Sequence, residues 1–148
     1  MKLAPMFLMD KNQNSQPPLV LVVEDNEDNL LLISYILESL GCRLITQTDG
    51  ESAVLLAKEH HPDLILLDII LPKVNGINIL RSLREEPLTR DIPAIALTAL
   101  ATKENRENII RAGFDSYLIK PYLIEELEKM VSLYINQRVN YSSYALGK

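Results

Sequence analysis

From Leu19 onward the chain alternates short apolar runs with amphipathic stretches. LVLVV (19–23) is continuously apolar and rich in β-branched residues, as in a strand covered on both faces. Asn26 stands where an N-cap belongs. Leu30, Ile33, Leu37 and Leu40 then recur at helical spacing until Gly41 supplies a stop. RLITQT (43–48) predicts a second strand, and its polarity places it at a sheet edge. Asp49 caps a second helix with Ala53, Val54 and Ala57 on its buried side, and HHP (60–62) breaks it. DLILLD (63–68) is a third strand, apolar up to its terminal acid. The loop IILPKVNG leads into a helix with Ile77, Leu80 and Leu83 on one stripe, ending before Pro87. IPAIALT (92–98) predicts a fourth strand. TKENRENIIRAG (102–113) is a weakly amphipathic helix whose apolar anchors are Ile109 and Ile110. SYLI (116–119) is a short fifth strand, and Ile124, Leu127, Val131 and Tyr134 mark a last helix.

Five strands alternating with five helices specify an α/β domain with a parallel sheet and right-handed crossovers. A closed barrel needs eight such units, so the sheet is open and doubly wound. Strands 1 and 3 are the most uniformly apolar and belong at its centre, which fits a flavodoxin-like order, 2-1-3-4-5. In such sheets the functional site lies beyond the carboxyl ends of the central strands, where the winding direction switches.

Strand 1 ends in Glu24-Asp25, strand 3 in Asp68, strand 4 at Thr98, and strand 5 runs into Lys120-Pro121. Taken singly, each has a bland reading: Asp25 as a helix N-cap, Asp68 as a loop-starting acid, Thr98 as a turn former, Lys120 as a solvated lysine. Together they point elsewhere. Adjacent strands lie roughly 4.8 Å apart, so three carboxylates converge on one rim and repel one another unless a cation sits between them. Hard carboxylate and carbonyl oxygens suit Mg²⁺. A lysine and a hydroxyl beside them suit an anion bridging metal and ammonium, and a phosphoryl group is the natural one.

The set Glu24-Asp25, Asp68, Thr98 and Lys120-Pro121, in this order on this strand plan, resembles the receiver domain of two-component response regulators. Leu71-Pro72 after Asp68, and Gly76 opening the third helix, fit the same pattern. The resemblance covers residues 19–138, leaving 1–18 as a flexible extension and 139–148 as a tail. It implies that Asp68 accepts a phosphoryl group from a sensor histidine kinase or a histidine phosphotransfer domain, or from a small donor such as acetyl phosphate. Asp25, Asp68 and the backbone carbonyl of Ile70 would hold Mg²⁺, with Glu24 acting mainly through water. Lys120 and Thr98 would each contact a phosphoryl oxygen, and the bond before Pro121 is often cis in such domains. Thr98 and Tyr117 correspond to the family's switch pair, altering the helix 4–strand 5–helix 5 face for a downstream protein. The positions two beyond Asp68 and two beyond Thr98 hold Ile70 and Leu100. Polar residues there speed phosphoryl loss, so slow self-dephosphorylation is expected.

Composition narrows the partners. The 148 residues carry 15 basic against 20 acidic side chains, a net charge of −5, which argues against nucleic acid. One cysteine excludes an internal disulfide and fits a cytoplasmic protein. No apolar run is long enough to span a membrane, and Met1–Met9 lacks a signal-peptide pattern. His60 and His61 read as loop histidines, and Cys42 as a half-buried small residue. A dehalogenase-type aspartyl phosphatase needs a second acid at position 70, where Ile70 stands. A flavin or nucleotide site needs phosphate donors after strand 1, where Glu24-Asp25 repel phosphate. With little chain beyond the last helix, the expectation is a single-domain adaptor or phosphorelay carrier rather than an enzyme. A phosphorylation-independent interaction module and a chemotaxis-type motor effector are the alternatives.

Overall fold

The computed structural model describes residues 16–145, with side chains as far as Ile135. The predicted N-terminal extension therefore lies largely outside the described residues. The elements follow in the order β1 (Leu19–Val23), α1 (Glu27–Ser39), β2 (Arg43–Gln47), a 3₁₀ turn (Gly50–Ser52), α2 (Ala53–His60), β3 (Leu64–Asp68), α3 (Gly76–Glu85), β4 (Ala94–Thr98), α4 (Lys103–Ala112), β5 (Ser116–Ile119) and α5 (Ile124–Ala145). All four strand pairings are parallel, and the order is β2-β1-β3-β4-β5, the predicted flavodoxin-like sheet.

The alternation along each strand divides the core into two layers. Leu21, Val23, Ile65, Leu67, Ala94 and Ala96 face Ala53 and Ala57 of α2, Ile79, Leu80 and Leu83 of α3, and Ile109 of α4. Val20, Val22, Leu64, Leu66, Ile95 and Leu97 face Ile33, Ile36 and Leu37 of α1 and Leu127, Val131 and Ile135 of α5. β1, β3 and β4 are buried throughout, whereas β2 at the edge has no fully buried residue, with Arg43 and Thr46 exposed and Leu44, Ile45 and Gln47 half-buried. Each fully buried Leu or Ile stabilises the fold by about 1.5–3 kcal/mol relative to an exposed one.

Side-chain caps fix the starts of α1, α3 and α4. Asn26 Oδ1 accepts from the Asn29 N–H at 2.8 Å, Asn75 Oδ1 from Ile77 at 2.7 Å, and Thr102 Oγ1 from Asn105 at 3.2 Å. α1 ends as predicted at Gly41. Its φ of 83° lets the Cys42 N–H reach the Leu37 carbonyl and its own N–H reach Glu38, a Schellman closure.

Several expectations are corrected. Asp49 caps a 3₁₀ turn before α2, its Oδ1 accepting from Glu51, and α2 itself starts at Ala53. His60 closes α2 and only His61, with φ 50°, lies beyond it. β4 begins at Ala94 because Pro93 has no N–H to give a ladder. Ile110 does not anchor α4, being 51% exposed, because adjacent helical positions point about 100° apart and Ile109 takes the core side. Ile124 is also exposed, and Ile135 fills the core on α5. Cys42 is buried rather than half-buried. The backbone of α5 continues past Arg138 to Ala145. Among the described residues, no helix is long and apolar enough to cross a membrane.

Candidate functional site

The carboxyl ends of β1, β3, β4 and β5 bring the predicted residues to one rim. Glu24, Asp25 and Asp68 each offer a carboxylate oxygen, all within 4.8 Å of one another. Glu24 is fully buried, Asp68 is 4% exposed, and Asp25 stands open to solvent. Lys120 Nζ crosses to this cluster and donates to Glu24 Oε1 at 2.9 Å and to Asp68 Oδ2 at 3.0 Å. The second Glu24 oxygen accepts from the Asn26 N–H at 3.1 Å, and Asp68 Oδ1 accepts from the Ile70 N–H at 3.2 Å.

Main-chain bonds position these side chains. The Lys120 N–H donates to the Thr98 carbonyl at 2.7 Å, and the Lys120–Pro121 peptide is cis, as expected. Thr98 is buried, and its Oγ1 accepts from the Leu100 N–H at 3.0 Å. Behind Asp68 the backbone of α3 approaches closely. A Cβ on Gly76 would collide with the Asp68 carbonyl and stand 2.8 Å from Ile69 Cα, so only glycine fits. The Gly76 N–H donates to Ile69 O at 2.8 Å, closing the loop that carries Ile70.

The electrostatics follow from this packing. Burial is the largest influence on Asp68 and pushes its carboxyl up to about 6. The hydrogen bond and charge of Lys120 pull it down, the charge of Glu24 pushes it up, and the Ile70 N–H lowers it. Asp68 is therefore ionised at neutral pH. Burial works against the Lys120 ammonium, but the two carboxylates it touches outweigh burial and raise its pKa. Three carboxylates and one ammonium leave two uncompensated negative charges, which matches a divalent cation. Carboxylate donors of this kind fit Mg²⁺ better than a softer metal.

Tyr117 is half-buried, packed against the layer that includes Ala96 and Ile109 and paired in register with Ala96. Ile70 and Leu100 flank the rim, 54% and 43% exposed. One neighbour escaped the sequence reading. Tyr122 is half-buried and lines a cavity of about 430 Å³ with Asn29, Leu32, Ala99, Lys120 and Pro121, and burial raises its hydroxyl pKa. Its position just beyond Lys120-Pro121 was the available signal. His60, His61 and Cys42 take no part in the carboxylate cluster.

Comparison with known proteins agrees with this geometry. Residues 20–132 match the family described as response regulator receiver domain. The chain is 40% identical over 116 residues to the polar-differentiation response regulator DivK of Brucella ovis, covering 78% of this chain and 94% of that one. Among solved structures, the receiver domain of the sensor histidine kinase PA1611 of Pseudomonas aeruginosa PAO1 superposes with a TM-score of 0.75. It is 38% identical, the match covers 81% of this chain and 98% of that one, and that domain has a magnesium ion in its active-site cleft. The receiver domain of the Francisella response regulator 1452 gives a TM-score of 0.76 at 32% identity, with the same coverage. With sheet order, rim chemistry and sequence in agreement, the chain belongs to the response regulator receiver domain family.

Proposed function

We propose that Asp68 is the phosphoacceptor of this receiver domain and that its phosphorylation, which requires Mg²⁺, switches binding to another protein. The observation that carries this reading is the Asp68 carboxylate, buried at the rim, 3.0 Å from Lys120 Nζ and within 4.8 Å of Glu24 and Asp25. Asp25, Asp68 and the Ile70 carbonyl would hold the metal, with Glu24 behind them. When bound, the cation neutralises charge between the nucleophile and the incoming phosphoryl group.

The remaining steps belong to the chain. An Asp68 oxygen attacks phosphorus in line while the bond from phosphorus to the donor's imidazole nitrogen breaks, and that nitrogen keeps the electron pair. Lys120 exchanges its contact with Asp68 for a phosphoryl oxygen while keeping Glu24. Thr98, two strands from β1 on the same rim, turns its hydroxyl toward another phosphoryl oxygen. The donor is a sensor histidine kinase or a histidine phosphotransfer domain, in a cytoplasmic setting. Tyr117 follows Thr98 inward, and the face formed by α4, β5 and α5 carries the signal to a downstream protein, as an adaptor or a phosphorelay carrier.

Intact mass after exposure to acetyl phosphate, with and without Mg²⁺, tests the reading. One phosphoryl group added only with metal, and none on Asp68→Asn, is the expected result. An adduct of equal yield on Asp68→Asn overturns Asp68 as acceptor, and absence of any adduct even with a phosphorylated histidine donor leaves a binding module without phosphorylation.

A further inference from the structure

α1 exposes three large apolar side chains, Leu31, Leu32 and Tyr35, and among the described residues no other helix exposes as many. Leu32 turns to the cavity beside Lys120. Leu31 and Tyr35 do not. Each stands two positions from the buried Ile33, about 200° around the helix, so both point away from the sheet, and both are 72% exposed. The same outward stripe carries Asp28 one turn before them and Glu38 one turn after. It therefore reads acid, apolar, apolar, acid over about 15 Å. α1 has no basic residue, and neither Asp28 nor Glu38 forms an ion pair among the described residues. Two large side chains set side by side, with Leu32 next to them, make a patch rather than scattered exposure.

The sequence holds a segment of complementary pattern. Fifteen residues precede Gln16, and among them Lys2 and Lys11 bracket LAPMFLM (3–9), which has six apolar side chains besides Pro5. The chain enters β1 at the end of the sheet where α1 finishes. There the Pro18 carbonyl accepts from the Arg43 N–H at 2.8 Å and the Pro17 carbonyl from Arg43 Nε at 3.0 Å, two residues after the Gly41 stop. Leu31 lies about 12 Å along α1 from Ser39, its last residue. Residues 10–15 extend to about 20 Å, enough to turn and bring residues 3–9 alongside. Running that way, Lys11 meets Glu38 and Lys2 meets Asp28, since nine residues span from about 14 Å as helix to about 30 Å extended. Lys11 also approaches the carbonyl end of α1, whose last turn has no base of its own. At the other end of the chain, residues 146–148 offer only Leu146 as a large apolar side chain. The α1 of a second copy would set acids against acids.

We infer that residues 3–9 pack along the outward stripe of α1 in the same chain, with apolar side chains on Leu31 and Tyr35 and with Lys2 and Lys11 against Asp28 and Glu38. The N-terminal extension is then a strap over the layer that α1 shares with α5. Met6 and Met9, unbranched and adaptable, suit such an irregular surface. The inference goes beyond the phosphoacceptor reading and does not depend on it, because none of the stripe residues belongs to the carboxylate cluster or lines the cavity beside Lys120.

The test puts the photoreactive p-benzoylphenylalanine in place of Tyr35 in the full chain, irradiates at low micromolar concentration and maps the joined peptides by mass spectrometry. Crosslinks within one chain, to residues 3–9, are expected. Phe7→Asp/Leu8→Asp is expected to lower their yield about fivefold or more. The same probe in place of Leu55, also exposed but on α2 in the opposite layer, is expected to give none. A cooperative melting transition near that of the unsubstituted protein shows that each variant is folded, and if the probe at position 35 fails this it goes to position 31. Crosslinks between two chains, crosslinks to other segments, no crosslink, comparable yield from position 55, or a yield indifferent to Phe7→Asp/Leu8→Asp each overturns the inference. Uptake from acetyl phosphate is read in parallel. A strap found in a protein that takes up no phosphoryl group overturns only the phosphoacceptor reading, and uptake without the crosslink overturns only the strap.

Discussion

At the scale of single residues, the rim trades stability for chemistry, and Asp68 shows it most directly. Burial lifts its carboxyl from an ordinary 3.8 to about 6. Between those values the folded chain holds a proton that the unfolded chain releases, so stability falls as pH rises from about 4 to 6 in the absence of metal. Above pH 6 the loss has an upper bound of about 3 kcal/mol. Asp68→Asn removes that charge and keeps the shape. It is predicted to melt several degrees higher than the unsubstituted protein at pH 7.5 without Mg²⁺, with the advantage gone by pH 4. A lower melting point at pH 7.5 would mean that the pairing with Lys120 outweighs burial. The lifetime of the phosphoryl group is also set here. Ile70 and Leu100 present aliphatic side chains beside Asp68 and Thr98, and neither orders a water for attack. Label on Asp68 is therefore predicted to persist for minutes in the purified protein, and Ile70→Asn to shorten that severalfold. Loss within seconds from the unsubstituted chain would contradict the prediction.

At the scale of elements, the contact between α3 and the end of β3 fixes where Asp68 points. Gly76 opens α3 against the backbone of Asp68 and Ile69, which has no flexible end to yield. Gly50 is crowded too, but by the tips of Ile79 at 2.8 Å and Leu71 at 2.9 Å, which rotate. Gly76→Ala is accordingly predicted to cost about 1–3 kcal/mol in denaturant unfolding and to slow phosphoryl uptake, while Gly50→Ala costs less and leaves uptake unchanged. Equal effects of the two would remove the backbone argument. The strands were legible in the sequence because buried parallel strands are continuous apolar runs, and Glu24, Asp25, Asp68, Thr98 and Lys120 because each interrupts or follows such a run. Helix faces were less legible. Ile109 and Ile110 are equally apolar, and only packing decides which one is covered. The bonds from Lys120 to Glu24 and Asp68 span 96 and 52 residues, so strand order implied their nearness but not that one ammonium bridges both. Tyr122 carried no periodicity that set it apart.

At the scale of the whole molecule, the rim and the far end of the sheet are tied differently to α4. Arg84 stands in the last turn of α3. In the fold its Nε donates to the Gly113 carbonyl at 3.1 Å, its Nη1 to the carbonyls of Arg90 at 3.0 Å and Ile92 at 2.6 Å, and its Nη2 to Asp115 Oδ2 at 3.1 Å. The same Asp115 oxygen accepts from the Ala94 N–H at 2.8 Å. One guanidinium thus joins α3, the start of β4, the end of α4 and the approach to β5. Among the described residues, the opposite end of α4 is held by the Thr102 cap and the Arg106 bond to Ala101, and Ile109 is the helix's one buried side chain. An element latched at one end and lightly held at the other moves by pivoting. Hydrogen exchange compared with and without Mg²⁺ and beryllofluoride is predicted to differ over residues 99–108 and to stay constant over 111–116. Arg84→Met is predicted to cost about 2 kcal/mol or more in global stability and to spread the difference into 111–116 while uptake of the phosphoryl group continues. Equal changes at both ends of α4 in the unsubstituted protein would show that the helix shifts as a body.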